Sequence, residues 1–448
     1  MSLVEIESIS RVETDYGRLR FAELDTEPGS RFDTYTFTVT GWVLGRSSAA
    51  VYVELRTSGA PVWRASVSGE RPDVGALYPE VAGAGRSGFF VTASVLGLPT
   101  VFDVEVSAVL ADGTRVELGS LRVRRRLLRT GFNPTLQPLM LTSLGRTGTN
   151  WLLLLLSQHS AVTAYRPMHL EPRIGSYWMQ VLEALSQPAS YLQGLAAGHM
   201  DGSQWWLGQP LLPDVNDWWS TKPDPATARW LGRDHIETLA AFCQDRIDAF
   251  YAQAVKANGE SESRYFVEKY LPGPFVPALM WELYPEAREL ILVRDPRDVV
   301  CSISAFTTNR GRSMSNGDPK VLDEAFIRKM RGSFVDLRDA WQRRPRAHLL
   351  HYEDLILRPD ETVAAVLEYL GVESDGPTPK ELLELASRTE EERQRSHSTS
   401  VDALASIGRW RHELDASLQA SCLDAFGDVL EAFGYLERDR TLASVTSL

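Results

Sequence analysis

The stretch Leu139–Ser160, "LMLTSLGRTGTNWLLLLLSQHS", decides the fold class. "LMLTS" reads as a short buried strand. A loop with two glycines, an arginine and a threonine follows, and "TNWLLLLLSQ" then reads as a helix. Strand, tight loop and helix are the opening unit of an α/β domain, and in open parallel sheets ligands bind beyond the carboxyl ends of the strands, where this loop stands. Amides at a helix start have no partner within the helix and carry partial positive charge. Glycine lets an anion approach them closely. Thr147 and Thr149 add hydroxyls, and Arg146 adds a forked, permanently charged set of N–H groups. The loop therefore reads as an anion cradle. A tight strand–helix turn with a threonine N-cap is the plainer reading of the same residues.

Two familiar phosphate loops are excluded. A Walker A loop needs lysine after its second glycine, and here Thr149 follows Gly148. The spacing is not G-x-G-x-x-G either.

A second motif, "LILVRDPRDVVCSISAF" (290–306), supports the anion reading. Arg294 stands at a strand end, and Pro296 opens the next helix. Ser302 follows Arg294 by eight residues, about two turns along. An arginine and a hydroxyl can share one phosphate through charge-assisted hydrogen bonds. An ion pair between Arg294 and Asp298 is the alternative for that arginine alone.

Together these motifs resemble the sulfotransferase family. "SLGRTGTNW" is similar to its loop for the 5′-phosphosulfate, and "VRDPRDVVCS" to its loop for the 3′-phosphate. "HYEDL" (351–355) and "IGRWRHEL" (407–414) fit bacterial members. The resemblance covers roughly residues 135–437. It implies a three-layer, P-loop-like α/β fold and 3′-phosphoadenosine-5′-phosphosulfate (PAPS) as donor, with no metal. It implies Arg146 as the cation meeting charge on the leaving oxygen. The 5′-phosphate would lie on Thr147, Gly148, Thr149 and Asn150, and the 3′-phosphate on Arg294 and Ser302. Arg409 and Trp410 would belong to a C-terminal region that closes over the nucleotide.

The chain departs from the cytosolic branch of the family. Where that branch has a histidine base in Lys-Thr-His-Leu-Pro, this chain has "EKYLP" (268–272), with Tyr270 at the histidine position. Other branches use a glutamate shortly after the first loop. Glu171 and His169 in "YRPMHLEPRIGSYW" stand there, Glu171 first and His169 its rival as general base. Glu268 and Lys269 come third, Lys269 as a contact for the sulfuryl group. His351 reads as structural.

The rest of the chain sets the frame. Its 448 residues exceed one core, so two domains are expected, 1–128 and 129–448. Residues 1 to about 125 alternate apolar and polar side chains in short runs, as in "TYTFTVTGWVLG" and "VFDVEVSAVL", which suggests an all-β sandwich. "GERPDVGALYPEVAGAGRSGFF" reads as one long loop. With "GW" and "RPDV…YP", this half is similar to modules attached to carbohydrate-modifying enzymes. The arginine-rich "RVRRRLLR" (122–129) reads as a solvated linker, or else as a phosphate or lipid patch. An insert near 176–264 is expected to build the acceptor side, with Trp205, Trp206, Trp218, Trp219 and Trp230 as aromatic faces or as packing.

The net charge of −12 argues against a nucleic-acid partner. Cys243, Cys301 and Cys422 are too few and too scattered for a disulfide framework or a zinc cluster. With no leader-like or membrane-spanning run, a cytoplasmic protein is expected. The reading is a sulfotransferase acting on a hydroxyl of a carbohydrate, glycolipid or secondary metabolite. A kinase-like phosphotransferase and a non-catalytic nucleotide- or carbohydrate-binding protein are the rivals.

Overall fold

The computed structural model describes residues 2–13, 15–57, 62–167, 170–188, 191–192, 224–260, 262–273, 275–310, 322–344, 346–372, 376–393 and 403–437. The chain divides into two compact units. The first comprises Met1–Asn133, Tyr177–Arg246 and Ala278–Leu283. The second comprises Pro134–Ser176, Ile247–Pro277 and Tyr284–Leu448.

Period-two alternation in the first unit yields antiparallel strands. The larger sheet runs in the order Tyr191–Leu192, Val62–Ser66, Ala50–Arg56, Val101–Leu110, Arg115–Arg125, Val4–Arg11 and Arg31–Phe32. The smaller sheet places Thr36–Gly45 between Leu19–Leu24 and Gly88–Ser94. Phe37, Val39, Val53, Leu55, Val91, Val104 and Val106 alternate inward and are fully buried.

Two expectations change here. The long loop contains a helix, Pro72–Leu77, and a single turn, Ala84–Arg86. Val74 and Ala84 from these pack on Trp42 and Leu44, so burial rather than helical periodicity fixes the segment. The arginine-rich stretch is not a solvated linker. Its first four residues complete the strand Arg115–Arg125, where Arg122 pairs with Asp103 and Arg124 with Glu7. Arg125 turns inward and is buried against Glu282.

The second unit holds a five-stranded sheet in the order Val162–Ala164, Tyr265–Tyr270, Gln137–Ser143, Arg288–Val293 and His348–His351, every pair parallel. Both faces are covered, as such sheets require. Leu290 and Leu292 enter one core with Leu152–Leu156 and the helix Pro359–Leu370. Their neighbours Ile291 and Val293 enter the other, with Phe334 and Phe426. The strand Gln137–Ser143 is central, and the chain crosses to opposite sides of it. Its carboxyl end is therefore the topological switch point, where ligands of open α/β sheets bind. Among the described residues no helix is long and apolar enough to cross a membrane.

Candidate active site

The loop after Ser143 is closed from within. Ser143 Oγ donates to Leu292 O at 2.6 Å, and Thr147 Oγ1 donates to Leu144 O at 2.8 Å. The Thr147 hydroxyl, read from sequence as facing an anion, is thus committed to the loop itself and buried. A loop this short needs an internal staple to hold its turn. Thr149 opens the helix Thr149–Leu156, and the N-cap is Gly148, at φ +87°. A Cβ on Gly148 would stand 2.7 Å from the Tyr352 ring, so both conformation and space demand glycine.

Arg146 is left-handed at φ +70°. Its Nε donates to Ser302 Oγ at 3.2 Å, and its guanidinium lies 4.6 Å from the Phe306 ring centroid. Its carbonyl accepts from Arg294 Nη1 at 2.9 Å. Arg294 Nη2 donates to Ser406 O at 2.6 Å, and the guanidinium sits 4.6 Å above the Tyr352 ring. Tyr352 in turn hydrogen-bonds Ser406 Oγ at 2.9 Å. Arg294 is 6% exposed and makes no ion pair with Asp298, and its buried Nε has no partner among the described residues. The structure therefore joins the two sequence motifs: Arg146, Arg294 and Ser302 meet at one corner, with the segment around Ser406 closing it.

That segment carries Arg409 and Trp410. Arg409 is buried; its Nε donates to Glu413 at 2.8 Å, and its buried Nη1 has no partner among the described residues. Trp410 is half-buried. The guanidinium groups of Arg297 and Arg411 lie over its ring, 3.9 Å and 4.5 Å from the centroid. Both are cation–π contacts.

On the other side of the loop, Asn150 Oδ1 accepts from Lys269 Nζ, which also donates to Glu171 Oε1 at 2.9 Å. Arg173 reaches Glu171 Oε2 at 2.8 Å. Burial alone would raise the Glu171 carboxyl, but Lys269 and Arg173 outweigh it and hold it below the usual glutamate range. Burial likewise lowers Lys269, against the pull of Glu171. Glu171 is thus beside the first loop, as its spacing suggested, while His169 lies outside the described residues.

Glu268 and Tyr270 face away from this group. Glu268 is buried and accepts from Ile174 N at 3.1 Å and Gly175 N at 3.0 Å, the start of the helix Ile174–Ser186. Burial pushes Glu268 up to about 7. Tyr270 OH donates to it at 3.3 Å. His351 Nε2 donates to Phe433 O, 2.9 Å away, at its strand end. Trp205, Trp206, Trp218 and Trp219 lie outside the described residues, and Trp230 is exposed beside His235, 5.3 Å between ring centroids.

Sequence reasoning gave Tyr352 no role, although "HYEDL" drew notice. The ring supports both Gly148 and Arg294, and only the meeting of strand ends reveals it.

A family model described as "Sulfotransferase family" matches residues 138–377. The chain belongs to the sulfotransferase family. Both anion motifs, Glu171, Lys269 and Tyr352 lie inside the matched stretch, and Arg409 lies beyond it. Among solved structures, the chain is similar to a "Sulfotransferase Domain from the Curacin Biosynthetic Pathway". The two share 18% identity over 64% of this chain and 90% of that one, with a TM-score of 0.31. No curated protein matches the chain.

Proposed function

We propose that this sulfotransferase moves a sulfuryl group from PAPS to a hydroxyl of a carbohydrate, glycolipid or secondary metabolite. The observation that carries the donor assignment is a pair of buried guanidinium N–H groups without a partner among the described residues, Arg294 Nε at a strand end of the sheet and Arg409 Nη1 on the segment that Arg294 holds. A buried donor without an acceptor costs about 1–3 kcal/mol, more when charged, and a phosphate removes that cost. The donor supplies an activated sulfuryl group with a nucleotide bisphosphate as its leaving group. Arg294, Arg409 and Ser302 bind the 3′-phosphate. The amides of Thr147 to Asn150 hold the 5′-phosphate at the helix start. Arg146 meets negative charge growing on the leaving oxygen.

Glu171 is the general base for the acceptor hydroxyl, held in position by Lys269. Its lowered pKa keeps it ionised at neutral pH, which a proton acceptor requires. Lys269 is the cation beside the transferred group. His169 stays the rival base. The mechanism needs no metal.

Calorimetric titration without magnesium, using 3′,5′-bisphosphoadenosine and separately ATP, tests the reading. Tight binding of the bisphosphate and weak binding of ATP is the expected result. ATP binding that appears only with magnesium would replace the reading with a phosphotransferase.

A further inference from the structure

The segment Leu404–Glu413 returns to the amino end of the helix Pro296–Arg310 and is fixed there by three side chains. Arg294 holds Ser406 O. Asp298 Oδ2 accepts from Gly408 N at 2.7 Å, and its Oδ1 accepts from Trp410 N at 3.1 Å. Arg297, itself held by Asp295 at 2.7 Å, presses on the Trp410 ring. The two amides that Asp298 grips flank Arg409, whose guanidinium is buried with one N–H open.

Asp298 stands in the first turn of its helix, where an acidic side chain commonly turns back to cap its own amides. Here it is 1% exposed, and both oxygens go to the returning segment instead. Burial and the neighbouring Asp295 push its carboxyl up to about 6, so the carboxylate is held there at a cost that the two N–H bonds offset. Only a carboxylate offers two acceptor oxygens to two amides at this spacing; an amide side chain offers one. Gly408 lies at φ +69° and lets the segment turn between the two contacts.

We infer that Asp298 is a positioning residue for the donor site: by holding the amides on both sides of Arg409, it aims that guanidinium at the nucleotide's 3′-phosphate without touching the nucleotide. The inference rests on the donor assignment above and adds the residue on which recognition of the second phosphate depends.

Asp298→Asn and the parent are titrated with 3′,5′-bisphosphoadenosine and with 5′-AMP, which lacks only the 3′-phosphate. The parent should prefer the bisphosphate. In Asp298→Asn the bisphosphate should weaken roughly 10- to 100-fold, as when a charged contact to phosphate is lost. Binding of 5′-AMP should stay unchanged, so the preference collapses. Arg409→Ala should give the same collapse, and adding Asp298→Asn to it should cost little more, because the two act through one contact. A preference kept at the parent value in Asp298→Asn overturns the inference. Equal weakening of both nucleotides also overturns it, because Asp298 would then support the fold alone. If Asp298→Asn does not fold, Gly408→Ala strains the same segment instead, because the backbone there sits at φ +69°. There too, loss of the preference supports the inference and an intact preference overturns it. A parent without any preference for the bisphosphate defeats the donor assignment itself, before any variant is made.

Discussion

At Arg146 the backbone sits at φ +70°, a conformation that costs an ordinary side chain about 1 kcal/mol or more. The loop keeps an arginine there, although glycine would relieve the strain, because a guanidinium bonded to Ser302 and stacked on Phe306 is fixed before any ligand arrives. Electrostatic stabilisation works best when the charge needs no reorganisation as the reaction proceeds. Glu171, proposed above as the base, is a different residue-scale case, a carboxylate tied to two cations. Glu171→Gln should lower kcat by roughly 10²- to 10⁴-fold, the usual worth of a general base, and leave bisphosphate affinity unchanged. Because Lys269 and Arg173 hold the carboxyl low, the acid limb of the parent kcat/KM profile should fall below the ordinary glutamate range. Parent-like turnover in Glu171→Gln, with turnover lost in His169→Ala, would make His169 the base.

The segment bearing Glu171 is set by the helix that follows it, Ile174–Ser186, whose first amides end on Glu268. In the folded chain Glu268 keeps its proton up to about 7, whereas an ordinary glutamate releases it near 4.5. Between those values the folded state binds more protons than the unfolded one, so this group's contribution to stability falls as pH rises. Glu268→Gln removes that dependence and leaves one of the two amides without its acceptor. Its melting temperature should vary less than the parent's between pH 5 and 7, and the Ile174 and Gly175 amides should exchange hydrogen faster; an unchanged pH slope would show that Glu268 titrates normally. The elements around this site were largely legible. The parallel strands are short β-rich runs, the anion loop carries its own glycines, and Arg294 falls at a strand end by pattern alone. What pattern could not show was pairing between chain segments. Glu268 follows no period that marks it as the acceptor for a helix 93 and 94 residues earlier. The helix Pro72–Leu77 was hidden because Val74 alone is buried in it, too little for a 3.6-residue rhythm.

Charge is distributed unevenly over the whole molecule. The chain has a net charge of −12, yet in the first unit a buried cation holds a buried carboxylate. There Arg125 Nη2 donates to Glu282 Oε2 at 2.8 Å across 157 residues of sequence, with 1% and 2% of the two side chains exposed. Glu282 also accepts from Gly97 N at 3.0 Å and from Leu128 N at 2.5 Å, so one carboxylate ties three separated strand ends and turns of that unit together. It stands near the end of the apolar helix Phe275–Leu283, and helical periodicity carries no information about a partner so far away. Arg125→Ala would leave Glu282 charged, buried and short of its counter-ion, a change that typically costs 3–5 kcal/mol. Arg125→Met with Glu282→Leu should recover only part of that loss. The apolar pair restores packing, but the Gly97 and Leu128 amides lose their acceptor, and each unsatisfied amide costs about 1–3 kcal/mol. Urea denaturation of the parent, the single variant and the pair, followed by near-ultraviolet circular dichroism, measures both steps. A double variant as stable as the parent would mean that the two amides find another acceptor, and that apolar packing holds these ends together as well as the ion pair does.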